Sequence, residues 1–314
     1  MAASVRVGTC SWADESLSRW WYPRGVRTSE ERLRYYAERF DTVELDSSYY
    51  RLPEPEQAEK WVERTPPGFV FHVKAFGLMT RHPVRLEQLP PDLREAANVD
   101  ERGRVDRPSR ELRAEVFARF HRGIEPLRRA GKLGGILLQF PPYIVKKPAS
   151  TQYLEWAVEE LRGDEPLVEF RHRSWLDDDE RADTLAFLEG LGAANVVVDA
   201  PKTEARNLVP TVLARTSPTV YVRFHGRNAA TWNVRGGSAA QRFDYLYSDE
   251  ELAEWVEPLR ELAEGAEQAY AMFNNNGRSP APPGLGTDGR ESVAQAPLNA
   301  LTLKRLLGAD RRAA

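Results

Sequence analysis

Eight short runs of apolar or alternating residues recur along the chain, separated by segments with helical spacing. They are 5–10 (VRVGTC), 41–47 (DTVELDS), 69–75 (FVFHVKA), 134–140 (GGILLQF), 166–172 (PLVEFRH), 195–199 (NVVVD), 219–225 (TVYVRFH) and 269–274 (AYAMFN). No two-residue Asn-Gly or Asp-Gly hairpin joins them, and every gap is long enough for a crossover helix, which is the signature of βα units and a parallel sheet. The pattern predicts an α/β fold: a single (β/α)8 TIM-like barrel over residues 1–314 as one domain, with extended loops after strands 3, 7 and 8. Those loops are the charged excursion 84–109, the Gly-rich 226–247 and the Pro/Gly-rich 277–292.

Helix starts are marked by capping boxes, Thr28 with Glu31 and Ser248 with Glu251, in which a hydroxyl and a Glu satisfy each other's free N–H groups. Leu252, Trp255, Val256, Leu259 and Leu262 form an apolar stripe at helical spacing. Pro258 lies within it and predicts a kink.

Strand side chains alternate between faces, so each run divides into a helix-facing and a barrel-facing set. This sends Glu44 and Asp46 inward, then His72 and Lys74, Leu137 and Gln139, Glu169 and Arg171, and Val197 and Asp199. Tyr221, Arg223 and His225 follow, and finally Met272 and Asn274. A barrel interior is ordinarily filled by branched aliphatic residues. A layer of charges there needs internal partners or a ligand, because an unpaired buried charge costs several kcal/mol. Glu44 with Lys74, and Glu169 with Arg171 or Arg223, would form a self-satisfied network. The layer also coincides with the strand ends where barrel active sites lie, and this favours the functional reading. Aromatic residues border the same end, with Tyr50 and Trp232 the best placed to stack on a ligand.

Composition narrows the partners. Lys and Arg total 44 against 47 Asp and Glu, for a net charge of −3, so a general polyanion binder is not expected. The single cysteine, Cys10, excludes an intrachain disulfide and Cys-based metal clusters. A strand-like run follows Met1 almost at once and no apolar stretch nears the length of a membrane span, so the expected location is cytoplasmic, away from membranes.

The stretches 7–12 (VGTCSW), 42–50 (TVELDSSYY), 71–75 (FHVKA), 137–142 (LLQFPP) and 168–175 (VEFRHRSW) resemble the YecE-like family, domain of unknown function 72. The resemblance continues through 221–227 (YVRFHGR), 273–275 (FNN) and 296–300 (APLNA). It implies a TIM-like barrel without an assigned reaction, and it carries over no catalytic residues. That family more often has Asn where this chain has Asp46, and is more compact after the Asn274-Asn275 pair, so 277–292 reads as an insertion.

Three functions fit the inward charges. The first is a metal-independent enzyme acting on a small anionic, sugar- or nucleotide-like molecule. Lys74, Arg171, Arg223 and Arg227 would hold its phosphate or carboxylate. Glu44, Lys74, Glu169, Asp199 and His225 are the candidates for catalysis. Asp46, Tyr50, Gln139, Trp232, Asn274 and Asn275 would join the arginines in binding, with Gly226-Arg227, Arg235-Gly236-Gly237 and 274–277 as phosphate-holding loops. No cofactor is expected. The second is a metal-dependent phosphodiester hydrolase on nucleic acid, in which Glu44, Asp46, Glu169, Asp199, His72 and His225 would bind Zn²⁺ or Mn²⁺. It is weakened by the absence of paired-His spacing and by the cations in the same layer. The third is a non-catalytic ligand-binding protein.

Overall fold

The computed structural model describes residues 2–234, 239–281 and 287–309. Eight strands each fall on a predicted run: β1 (Val5–Thr9), β2 (Thr42–Leu45), β3 (Val70–Lys74), β4 (Leu133–Gln139), β5 (Pro166–Glu169), β6 (Ala194–Asp199), β7 (Thr219–Phe224) and β8 (Gln268–Phe273). They lie in the order β1-β8-β7-β6-β5-β4-β3-β2 with every paired neighbour parallel, forming a nearly closed, TIM-like barrel. A small antiparallel ribbon, β9 (Arg278–Pro280) with β10 (Ser292–Ala294), occupies the segment that the sequence marks as an insertion.

After β1 come α1 (Glu15–Trp20) and α2 (Ser29–Ala37), after β2 comes α3 (Pro55–Glu63), and after β3 comes α4 (Arg110–Arg129). Helices α5 (Pro148–Glu159) and α6 (Arg181–Gly190) follow β4 and β5. Four helices follow β7, namely α7 (Ala229–Trp232), α8 (Ala239–Arg242), α9 (Asp249–Ala253) and α10 (Val256–Ala263), and α11 (Gln295–Ala309) closes the order. Both predicted capping boxes form, at Thr28 and Ser248. The stripe predicted to kink at Pro258 divides between α9 and α10, which leaves Pro258 in the first turn of α10, where no N–H is needed. One crossover departs from the βα expectation. Residues 200–218 carry no helix, because Pro201, Pro210 and Pro218 punctuate the segment.

The apolar residues separate into two clusters. Outward strand residues such as Val43, Leu45, Phe71, Val73, Val168, Val222 and Phe224 pack against the helices. Val70, Leu137, Leu167, Val196, Tyr221, Tyr270 and Met272 fill the barrel interior. In its lower half the His72 ring lies 4.7 Å from Tyr221 and 4.2 Å from Tyr270. Neither ring nitrogen of His72 has a hydrogen-bond partner. Burial, aided by the Arg6 charge, pulls its pKa down to about 3, so the ring is neutral. A Cβ at Gly134 would come within 2.5 Å of this ring, which is why the strand beside it has a glycine.

The seam of the barrel lies between β1 and β2, which share no ladder. A Cβ at Gly8 would meet Thr42 O at 2.3 Å, so only glycine lets the two backbones approach. The fully buried Tyr36 hydroxyl bridges them: it accepts from Thr9 N–H at 2.8 Å and donates to Thr42 O at 3.0 Å. Tyr36→Phe leaves both backbone groups unsatisfied, and each such buried group costs about 1–3 kcal/mol. The expected result is a loss of roughly 2–4 kcal/mol in urea unfolding. A change below the roughly 0.5 kcal/mol of ordinary surface substitutions would show that the seam does not depend on this hydroxyl.

Candidate functional site

Parallel strands end on one side of a barrel, so the last inward residue of each strand projects toward a common mouth. Here the mouth opens into a cleft of about 650 Å³. Asp46, Lys74, Gln139, Arg171 and Asn274 line it from the strand ends. Tyr49 and Tyr50 stand on one side, and Trp232 and Phe243, from the loop after β7, on another. Tyr50 is 61% exposed at the rim, whereas Trp232 is buried. Lys74 Nζ lies 3.3 Å from Asp46 and 4.9 Å from the centre of the Tyr49 ring. The Arg171 guanidinium sits 5.9 Å from both the Trp232 and the Phe243 rings.

Beneath this wall lies a fully buried network. Arg223 donates from Nη2 to Glu44 at 2.6 Å and from Nη1 to Glu169 at 2.5 Å. Tyr221 donates to the other Glu44 oxygen at 2.8 Å. Glu169 also accepts from Gln139 at 2.8 Å and pairs with Arg171 Nε at 2.5 Å. His225 Nδ1 lies 3.0 Å from Asn274 Nδ2, and its Nε2 lies 3.2 Å from Glu169 and 3.1 Å from Arg171 Nη2. Burial alone would raise the Glu169 pKa, but the charges of Arg171 and Arg223 reverse this and hold it well below the usual carboxylate range. Burial prevails at Glu44, whose pKa is raised despite Arg223. His225 is depressed to about 3 by burial and then by Arg171.

The inward charges therefore form two tiers. Glu44, Glu169, Arg223 and His225, read from the sequence as ligand-facing, are a fully buried floor whose carboxylates are paired by Arg223. Asp46, Lys74, Gln139, Arg171, Tyr50, Trp232 and Asn274 reach the cleft.

Three predicted site residues lie elsewhere. Asp199 points outward, since it pairs in register with the outward Phe224, and Ala194, Val196, Val198 and Ala200 are the inward residues of that segment. Its carboxylate accepts from Tyr247 Oη at 2.6 Å and Arg227 Nε at 3.0 Å. Arg227 is drawn outward with it, reaching Glu251 on α9 at 3.3 Å, so this clasp ties the barrel to its helical layer. Asn275 also faces outward, donating to Tyr245 O at 2.9 Å and Asn299 Oδ1 at 2.8 Å. Of the proposed phosphate-holding loops, Arg235-Gly236-Gly237 lies outside the described residues, and in 274–277 it is Asn274 and Asn276 that line the cleft.

The six residues proposed as metal ligands are dispersed: His72 lies a tier lower, Asp199 faces outward, and Glu44 and Glu169 are occupied by Arg223. Among the described residues no group of three His, Cys, Asp or Glu side chains could hold a metal ion.

The cleft also contains residues that the strand pattern did not single out. Arg242 and Phe243 arrive from the β7 loop, Asp14 and Ser11 from the β1 loop, and Asn207 from the helix-free segment. Cys10 is fully buried yet borders the cleft. His82 reaches it after β3, with Nδ1 2.8 Å from Thr80 Oγ1. Burial, then Lys74 and Arg171, pull its pKa down to about 3. Loop residues carry no periodic signal; only their position after a strand could have indicated them.

No helix among the described residues is long and apolar enough to cross a membrane. The family model described as "Protein of unknown function DUF72" matches residues 6–285. The UPF0759 protein YunF of Bacillus subtilis is 33% identical over 277 residues, covering 87% of this chain and 89% of its own. A DUF72 family protein from Thermotoga maritima superposes with a TM-score of 0.72 at 31% identity, over 96% of this chain and 98% of that one. Another, from Enterococcus faecalis, gives 0.74 at 25% identity, over 97% and 95%. The chain, a TIM-like barrel with a charged cleft at its strand ends, belongs to the DUF72 family.

Proposed function

We propose that the cleft is the site of a metal-independent enzyme that acts on a small anionic molecule, sugar- or nucleotide-like and phosphorylated or carboxylated. The observation that carries this reading is the separation of charge along the barrel axis. The carboxylates of Glu44 and Glu169 are wholly buried beneath, while Lys74 and Arg171, each 13% exposed, and Arg242 present cationic groups to the cleft. The His82 pKa is depressed first by burial, and Lys74 and Arg171 depress it further, as charges that also favour an anion in the cleft. Aromatic faces on both sides suit a flat or ring-shaped body whose edge hydrogen-bonds to Gln139 and Asn274. Asp46, 3.3 Å from Lys74, is the strand-end carboxylate that faces the cleft, so proton transfer falls to this pair.

The test is a calorimetric screen of phosphorylated sugars and nucleotides, followed by turnover assays. Lys74→Ala is expected to weaken the ligand by about 1.5–3 kcal/mol, the usual worth of a hydrogen bond to a charged group. Asp46→Asn should leave affinity within a few-fold and slow turnover about 10²–10⁴-fold. Affinity indifferent to Lys74→Ala would overturn the anion site. A tight ligand recovered unchanged would overturn the enzymatic half and leave a binding protein.

A further inference from the structure

We propose a second anion site on the outside of the barrel, between the loop after β3 and helices α4 and α5. It takes the phosphate tail of a small molecule carrying two or three consecutive phosphates. Two adjoining grooves of about 970 and 570 Å³ lie there, and they share Arg81, Arg107, Pro108 and Arg113. With the mouth cleft the smaller groove shares His82.

The arginines in these grooves fall into two kinds, and Lys147 adds a further cation to the smaller groove. Arg104 and Arg107 are partnered, by Asp100 at 3.1 Å and Asp106 at 4.0 Å. Arg81, Arg110 and Arg113 have no carboxylate partner among the described residues and lean on aromatic rings instead. Arg81 and Arg113 place their guanidinium carbons 4.9 and 5.3 Å from the centre of the same Tyr153 ring, and Arg110 lies 5.6 Å from that of Trp156. Tyr153 is fixed by donating to Met79 O at 2.9 Å, and Arg113 by donating to Leu78 O at 2.9 Å. Two like charges are thus held at one ring with no carboxylate in ion-pair contact among the described residues.

The backbone supplies an independent observation. Arg81 has φ 64° and Arg107 φ 42°, and Asp288 is the other described non-glycine residue with positive φ. This left-handed region suits glycine and is strained for an arginine, and strain of this kind gathers at ligand sites. Arg81 caps the 3-10 turn Gly77–Thr80 in this conformation, and the Tyr143 hydroxyl donates to its carbonyl at 2.8 Å. The side chain retained in that unfavourable conformation is a cation, and it faces the groove.

A guanidinium that rests on a ring leaves its N–H edge free for two oxygens of a phosphate. Several such groups in one place need adjacent anionic groups, more than a single orthophosphate offers. Carboxylates in the lining disfavour a long polyanion: Glu155 and Glu159 border the larger groove, and Asp100 and Asp106 the smaller. This favours a small molecule over a polymer.

The test is calorimetric titration of the full chain with sodium tripolyphosphate at low salt. Arg81→Gly removes the cation and relieves the left-handed backbone, so the variant should melt no lower than the parent. Tripolyphosphate affinity should fall about tenfold in Arg81→Gly and about threefold in Arg110→Ala. It should be unchanged in Lys74→Ala, which separates this site from the mouth cleft. Absent saturable uptake, equal affinity in Arg81→Gly, or a loss in Lys74→Ala instead would overturn the site. Tighter binding of a single-stranded oligonucleotide than of tripolyphosphate would overturn the small-molecule occupant.

Discussion

Replacing Arg223 by Met should destabilise the protein by about 3–5 kcal/mol or more, the loss expected when a buried ion pair keeps one member. The effect is large because a single fully buried guanidinium serves two fully buried carboxylates. Glu169 would retain Arg171 and Gln139, whereas Glu44 would retain only the Tyr221 hydroxyl. Glu44 should therefore take up a proton in the folded variant, from a pKa that burial already raises. A carboxyl with a raised folded pKa favours the folded state as pH falls toward its unfolded value. The deficit of Arg223→Met should accordingly shrink between pH 8 and pH 5. Adding Glu44→Gln should recover much of the loss at pH 8. Urea unfolding of the three proteins at both pH values decides the matter. A deficit under about 1 kcal/mol, or one independent of pH, would show that the floor is not held by this arginine.

Acid should unfold the parent protein well before its carboxylates titrate. His72, His82 and His225 are each held near 3, against about 6.5 in an unfolded chain. Between those values the unfolded state binds more protons, so stability is complete above about pH 6.5 and lost as pH falls toward 3. Each fully buried histidine contributes a slope of about 1.4 kcal/mol per pH unit in that window. Glu169, with its lowered pKa, adds to the loss below about 4.5, and Glu44, with its raised pKa, opposes it. His121, whose pKa is raised by its hydrogen bond to Asp164, opposes the loss, but from pH 6.5 to 5 the three depressed rings outweigh it. His72→Leu is the informative variant, because that ring has no hydrogen bond to lose. It should be at least as stable as the parent at pH 7, with a shallower decline in acid. An unfolding midpoint that stays constant from pH 8 to pH 5 would contradict the buried neutral rings.

Strand positions were legible because every strand carries a compact apolar run, and facing was legible wherever apolar and polar residues alternate. Val43 and Leu45 on one side of β2 leave no doubt about Glu44 and Asp46. On β6 the alternation fails: Val196, Val197 and Val198 are apolar on both faces, so nothing local indicates where Asp199 points. Its outward partners, Tyr247 and Arg227, come from segments more distant in sequence. Depth was also hidden. Glu169 and Arg171 share a face, yet one lies in the floor and the other in the wall, because height depends on the stagger of the neighbouring strands. Arg242 and Phe243 enter the cleft by loop folding, which periodicity does not encode.

The hydroxyl-bridged seam has a consequence for how the chain is made. Among the described residues β1 draws its only ladder from β8, with Val5 paired to Ala269, and toward β2 the hydrogen bonds run through the Tyr36 hydroxyl. During synthesis β1 must therefore wait for β8, after the other six barrel strands have been made, before its backbone finds a ladder partner. Strands β2 to β7 can assemble in order as they emerge, while β1 stays an open edge. Closure of the ring is then the last, most non-local event of folding, and a chain cut short before β8 would keep that edge available to other molecules.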